Sequence, residues 1–122
     1  MKRIIPNDIY RGLPCSMVAV GSAKGETQRR KLQRPEGLRA DGYLSLSNMT
    51  KYIKENLDVA KKETFKRGER PKLRDWVHAN IGKKAVVCCL GHFVYVDGRD
   101  YYSYFYNGGD DVVCTWILKE ES

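Results

Sequence analysis

The hydrophobic pattern changes character along the chain. Residues 1–14 show no period and are punctuated by Pro6, Gly12 and Pro14, which predicts an irregular arm. From Cys15 the run Cys15-Ser16-Met17-Val18-Ala19-Val20 is small and apolar. It reads as a buried helix entered through Pro14 and ended near Gly25. Gly21 inside that helix costs propensity, so it implies a neighbour packed closely against it. Residues 24–42 are polar and basic, an exposed connection with a short helix at 26–33. Ser47 is then the expected N-cap of a helix running to about Lys66, because Met49, Tyr52, Ile53, Leu57 and Ala60 recur every three or four residues. A third helix is predicted over 72–81, with Leu73, Trp76, Val77 and Ile81 on one face and Gly82 as its stop.

After residue 84 the period changes. Ala85–Leu90 is a continuous apolar run that predicts a buried strand, interrupted by Gly91 and continued by His92–Val96. Asp97-Gly98-Arg99-Asp100 is a hairpin signal. Tyr101–Tyr106 returns, Asn107–Asp110 turns, and Val112–Leu118 is the last strand. Helices followed by an antiparallel meander make an α+β domain. Its 122 residues are the length of one domain, 1–122, with no internal repeat.

Charge adds an asymmetry. The chain has 22 basic and 15 acidic residues, net +7. Residues 1–84 carry net +11 and residues 85–122 net −4. A basic front suits an acidic partner, although a solvated helical surface has the same composition. The tyrosines at 102, 104 and 106 share a strand face, as in a single-stranded nucleic-acid platform. The strands are the acidic part of the chain, however, which argues against a phosphate-tracking groove and against nucleic acid as the partner. No apolar run reaches membrane-spanning length, and the start lacks a signal-peptide apolar region, so a cytoplasmic protein with no membrane segment is expected. The four cysteines, Cys15, Cys88, Cys89 and Cys114, follow neither zinc spacing nor a secretory pattern. They are read as reduced thiols, with no metal and no cofactor.

Cys15 stands apart because it opens a helix. A helix start supplies unpaired backbone N–H groups and positive potential, which lower a thiol pKa and hold an oxyanion. A histidine must then reach the sulfur, and a third polar group must fix its ring. His92 lies in a core strand where a histidine is otherwise out of place. Asn107 follows 15 residues later at the end of the partner strand. With the hairpin centred at 98–99, His92 falls opposite about Phe105, and Asn107 shares that residue's face. Asp110 is the rival for the third position. Asp97 reads as turn chemistry, and His78, on a helix beside Val77, as structural.

The order Cys15, His92, Asn107 resembles the papain-like cysteine peptidases. Pro14-Cys15-Ser16-Met17-Val18-Ala19-Val20 and Gly91-His92-Phe93-Val94-Tyr95-Val96 are similar to the small papain-like domains that process bacteriocin leader peptides in bacterial exporters, and to their stand-alone relatives. The likeness covers the first helix and residues 85–118, about half of the chain. It implies a helical layer on a small antiparallel sheet and a thiol peptidase or isopeptidase acting on a peptide or protein. In that role Cys15 is the nucleophile, His92 the base and Asn107 its orienter. The Cys15 N–H contributes to the oxyanion hole. Where that family has a glutamine shortly before the cysteine, the nearby amide here is Asn7, a candidate oxyanion donor that reads first as an ordinary loop asparagine. The alternative reading is a non-catalytic binding protein using the basic helices or the tyrosine face.

Overall fold

The computed structural model describes residues 2–104 and 108–120. Its centre is a six-stranded mixed sheet. The strands are β1 (Lys2–Ile4), β2 (Val59–Thr64), β3 (Lys84–Cys89), β4 (His92–Asp97), β5 (Asp100–Tyr102) and β6 (Val112–Leu118), in the spatial order β1-β5-β4-β3-β6-β2. Every residue of β3 after Lys84 is buried. A strand with no solvent face must be covered on both sides. Helices α1 (Cys15–Lys24) and α2 (Leu46–Asn56) cover one face, over Val86, Cys88, Phe93, Tyr95, Cys114 and Trp116. Helix α3 (Leu73–Ala79) covers the other, with Leu73, Trp76 and Val77 on Val87, Cys89, Val94 and Val96. The α+β expectation is met, but the single helical layer becomes two layers with the sheet between them.

The sheet also departs from a simple antiparallel meander. β3 and β4 are separate strands, folded back through Leu90-Gly91 so that Cys89 faces His92; Gly91 does not interrupt one strand but turns between two, at φ 73°. β6 lies beside β3 and not beside β5. The crossing chain is fastened by the Leu90 N–H on the Asp111 carbonyl at 3.2 Å and the Leu73 N–H on the Asp110 carbonyl at 2.9 Å. A register shift between Cys88 and Cys89 lets Val112 face α3 while Cys114 faces α1. The edge of β5 is thereby free for β1, which pairs in parallel, Lys2 with Asp100. The sheet is therefore mixed, and the N-terminal arm supplies a strand and a short 3-10 turn, Asp8–Tyr10.

The helix expected from Ser47 to Lys66 is half helix, half strand. α2 begins at Leu46 under the Ser45 hydroxyl, which accepts from the Asn48 N–H at 3.2 Å, and it ends at Asn56. Residues 59–64 pair antiparallel with β6. An open edge offering a ladder outweighs a helical period carried only by Leu57 and Ala60. The third helix ends at Ala79, and Ile81 is exposed. The short helix of the connection is a single 3-10 turn, Arg29–Lys31.

Helix α1 behaves as its composition requires. Met17 to Gly21 are buried, and Gly25 closes the helix at φ 70°. A Cβ on Gly21 would lie 2.6 Å from the Tyr10 ring and 3.0 Å from Leu32. That ring is buried and its hydroxyl is bonded to the Glu26 carbonyl, so it does not yield. Gly21→Ala is therefore expected to lower stability by about 1–3 kcal/mol through overpacking, reversing the roughly 1 kcal/mol gain of alanine at an open helical site. Urea unfolding of the variant measures the sign.

Candidate functional site

Two strands part where the site lies. The β4–β5 ladder runs from Asp97 opposite Asp100 to Tyr95 opposite Tyr102 and stops there. Cys89 and His92 flank the two-residue turn and exchange ladder bonds, so the Phe93 N–H points outward, beyond the end of β5. The start of α1 lies over this opening. The sulfur of Cys15 lies beside this opening, where the nearby backbone N–H groups of Phe93, Ser16 and Cys15 itself favour its thiolate form. The last two are first-turn donors of α1, which has no intrahelical acceptor for them.

Beside the sulfur is a cavity of about 140 Å³. Leu13, Val18, Phe93, Tyr102 and Tyr104 form its apolar wall; Cys15, His92 and Ser103 are its polar members. His92 and Ser103 belong by strand alternation to the α3 face, and Cys15 to the α1 face. They meet because the sheet is open between β4 and β5. His92 Nε2 lies 3.2 Å from Ser103 Oγ, and Ser103 is buried. Among the described residues no hydrogen bond joins Cys15 to the His92 ring.

Burial pushes the Cys15 thiol above its ordinary pKa, and the three N–H groups oppose that only in part. The expected depression by the helix start is present as a force and is outweighed. The strand cysteines are masked more deeply: burial pushes Cys88 and Cys89 each up to about 12. Burial also lowers His92, and the negative charge of Asp110 partly restores it. The resting site is thus a neutral imidazole and a protonated thiol, where an ion pair would need the opposite shifts.

The sequence-nominated residues fare differently. Cys15 and His92 share the cavity. Asn7 is exposed and does not line it: its Oδ1 accepts from the Ile9 N–H at 3.1 Å, capping the 3-10 turn, and its carbonyl accepts from the Tyr104 hydroxyl. Asn107 lies outside the described residues. Asp110, the rival third member, is the carboxylate whose charge reaches His92. Ser103 was missed; its signal is a small polar residue inside an aromatic run, Tyr101-Tyr102-Ser103-Tyr104. Of the tyrosine face, Tyr102 lies 5.2 Å from Tyr95, ring to ring, Tyr104 lines the cavity, and Tyr106 lies outside the described residues. Among the described residues no cluster of histidine, cysteine and carboxylate side chains would hold a metal ion, and no helix is long and apolar enough to cross a membrane.

No protein-family model matches the chain, nor does any curated protein or solved structure.

The His92 ring is expected to titrate below the ordinary 6.5, and Asp110→Asn should lower its midpoint further. NMR of the ring protons measures both. The folded protein takes up this proton later than the unfolded chain as pH falls. His92 therefore costs stability from the ordinary value of 6.5 downward, and more so in Asp110→Asn.

Proposed function

We propose that the protein is a thiol hydrolase of the papain-like kind, a peptidase or isopeptidase that works through an acyl-enzyme on Cys15. The observation that carries this reading is the sulfur at the first turn of α1, sharing one small cavity with a histidine, with backbone N–H groups nearby that favour its thiolate. Donors converging on a sulfur at a helix start are what a developing thiolate and a neighbouring oxyanion both need.

The roles follow from the atoms. With Nε2 engaged by Ser103, Nδ1 is the nitrogen left for the thiol. For Nδ1 to accept, Nε2 must carry the proton and donate to Ser103 Oγ. The lowered pKa of His92 keeps the ring neutral near pH 7, the form a general base requires. As Nδ1 takes the thiol proton, sulfur bonds to the acyl carbon and the carbonyl electrons move to oxygen, held by first-turn N–H groups that include that of Cys15. The imidazolium then protonates the leaving amine. Water, activated by the same nitrogen, releases the acid; an amine in its place gives acyl transfer. Among the described residues no hydrogen bond joins the resting thiol and ring, and such catalytic bonds tighten when substrate binds. Orientation of His92 falls to Ser103, with Asp110 as the supporting charge, and Asn107 remains the sequence-based candidate for the same role.

Limiting iodoacetamide should modify Cys15 before Cys88, Cys89 or Cys114, since Cys15 is partly exposed and those three are buried. His92→Ala should slow that alkylation by roughly tenfold at neutral pH. Amine release from a peptide mixture should vanish in Cys15→Ala. Turnover that survives in Cys15→Ala, or first labelling of a strand cysteine, overturns the assignment. Comparing Ser103→Ala with Asn107→Ala identifies the orienter: the true one lowers kcat and shifts the pH profile, while the other leaves both in place.

A further inference from the structure

Tyr104 is one wall of the Cys15 cavity; Arg3 and Arg11 contact it, and the charge of Arg29 reaches it. Arg3 donates to the Tyr104 carbonyl at 2.8 Å. The Arg11 guanidinium lies 5.4 Å over the Tyr104 ring. Arg29 donates to the carbonyls of Ile9 and Arg11, at 3.0 Å each, which sets it behind Arg11. Among the described residues, Arg3 and Arg29 have carbonyls as partners and no carboxylate within ion-pair distance. Arg11 meets Asp8 at 3.1 Å, but both side chains are mostly in water, where such a pair holds weakly. Arg3 and Arg29 are thus fixed by backbone oxygens and Arg11 lies over the Tyr104 ring, a cationic rim whose charge stays available.

The cavity itself is small and mainly apolar. At about 140 Å³ it is near the volume that accommodates a benzene ring. It admits one side chain between leucine and phenylalanine in size. Asp110 does not line the cavity, although its charge reaches His92. An acidic ligand is attracted at Tyr104 by the arginines beside it.

We propose that the Cys15 site takes an acidic peptide, seating one apolar side chain in the cavity and carboxylates of the same acyl portion on the rim of Arg3, Arg11 and Arg29. This rests on the thiol-hydrolase reading and names its substrate class. The rim acts on encounter and orientation; the thiol, the ring and the backbone donors act on the acyl carbon.

The test uses peptide chloromethyl ketones, in which sulfur displaces chloride and forms a carbon–sulfur bond without any hydrolysis. Acetyl-Glu-Glu-Leu chloromethyl ketone should capture Cys15 faster than acetyl-Arg-Arg-Leu chloromethyl ketone, and the difference should shrink as salt rises. Arg11→Gln and the Arg11→Gln/Arg29→Gln pair should slow the acidic probe by roughly three- to tenfold while leaving the iodoacetamide rate unchanged. That control separates a lost rim from a misfolded site. Equal capture of both probes, or an acidic preference that persists in the Arg11→Gln/Arg29→Gln variant, overturns the proposal. Selective capture of the acidic probe, with no cleavage of the matching amide, keeps the acidic-peptide site and removes the hydrolase reading.

Discussion

β3 has no face to give to water, and most of the architecture answers to that. From Ala85 to Cys89 its side chains alternate between two apolar layers, so each side of the sheet has to be roofed. α1 and α2 close one side and α3 the other. Position in the middle also decides the strand order. β3 needs a partner on each edge; the hairpin supplies β4, and β6 is drawn across to supply the second. That crossing leaves β5 with an unfilled edge, which β1 occupies, and leaves β6 with one, which β2 occupies. Burying the full apolar surface of one Val-sized side chain contributes about 1.5–3 kcal/mol, so a central strand of this kind outranks the helical preference of a residue such as Ala60.

The site is made by an omission in the same sheet. β5 pairs over three residues and then leaves β4, and the Phe93 N–H it would have used lies near the Cys15 sulfur. Two effects of burial compete at that sulfur. Withdrawal from water favours the thiol; convergent N–H dipoles favour the thiolate, and withdrawal wins. The same competition at His92 favours the neutral ring, against the pull of Asp110. Both groups therefore rest uncharged near neutral pH.

Much of this was legible in the chain. The small-residue run from Cys15, the Asp97–Asp100 hairpin and the final strand stand where the pattern put them, and the close neighbour that Gly21 implied is Tyr10. The continuous run Ala85–Cys89 also held the clue to a two-sided roof, since a half-exposed strand would alternate. What stayed hidden depended on distant partners. Nothing local in Val59–Thr64 announces that β6 has an open edge. Nothing in Leu90-Gly91 separates a tight hairpin from a break in one strand. At the site, Cys15 and His92 carried chemistry in their residue types and setting, whereas Ser103 became visible only through the face it shares with His92.

The parallel partnership of β1 has a temporal side. Lys2 is made well before Asp100, yet its place in the sheet exists only after Asp100 and its neighbours have folded into the hairpin. Contacts so far apart in sequence form late, because the chain between them must already be ordered. The segment that follows β1 carries Arg11 and Leu13 toward the cavity. A partly synthesised chain, even one with α1 formed, thus has a cysteine at a helix start but no walled opening around it, and the thiol acquires its surroundings only when the last strands have closed the fold.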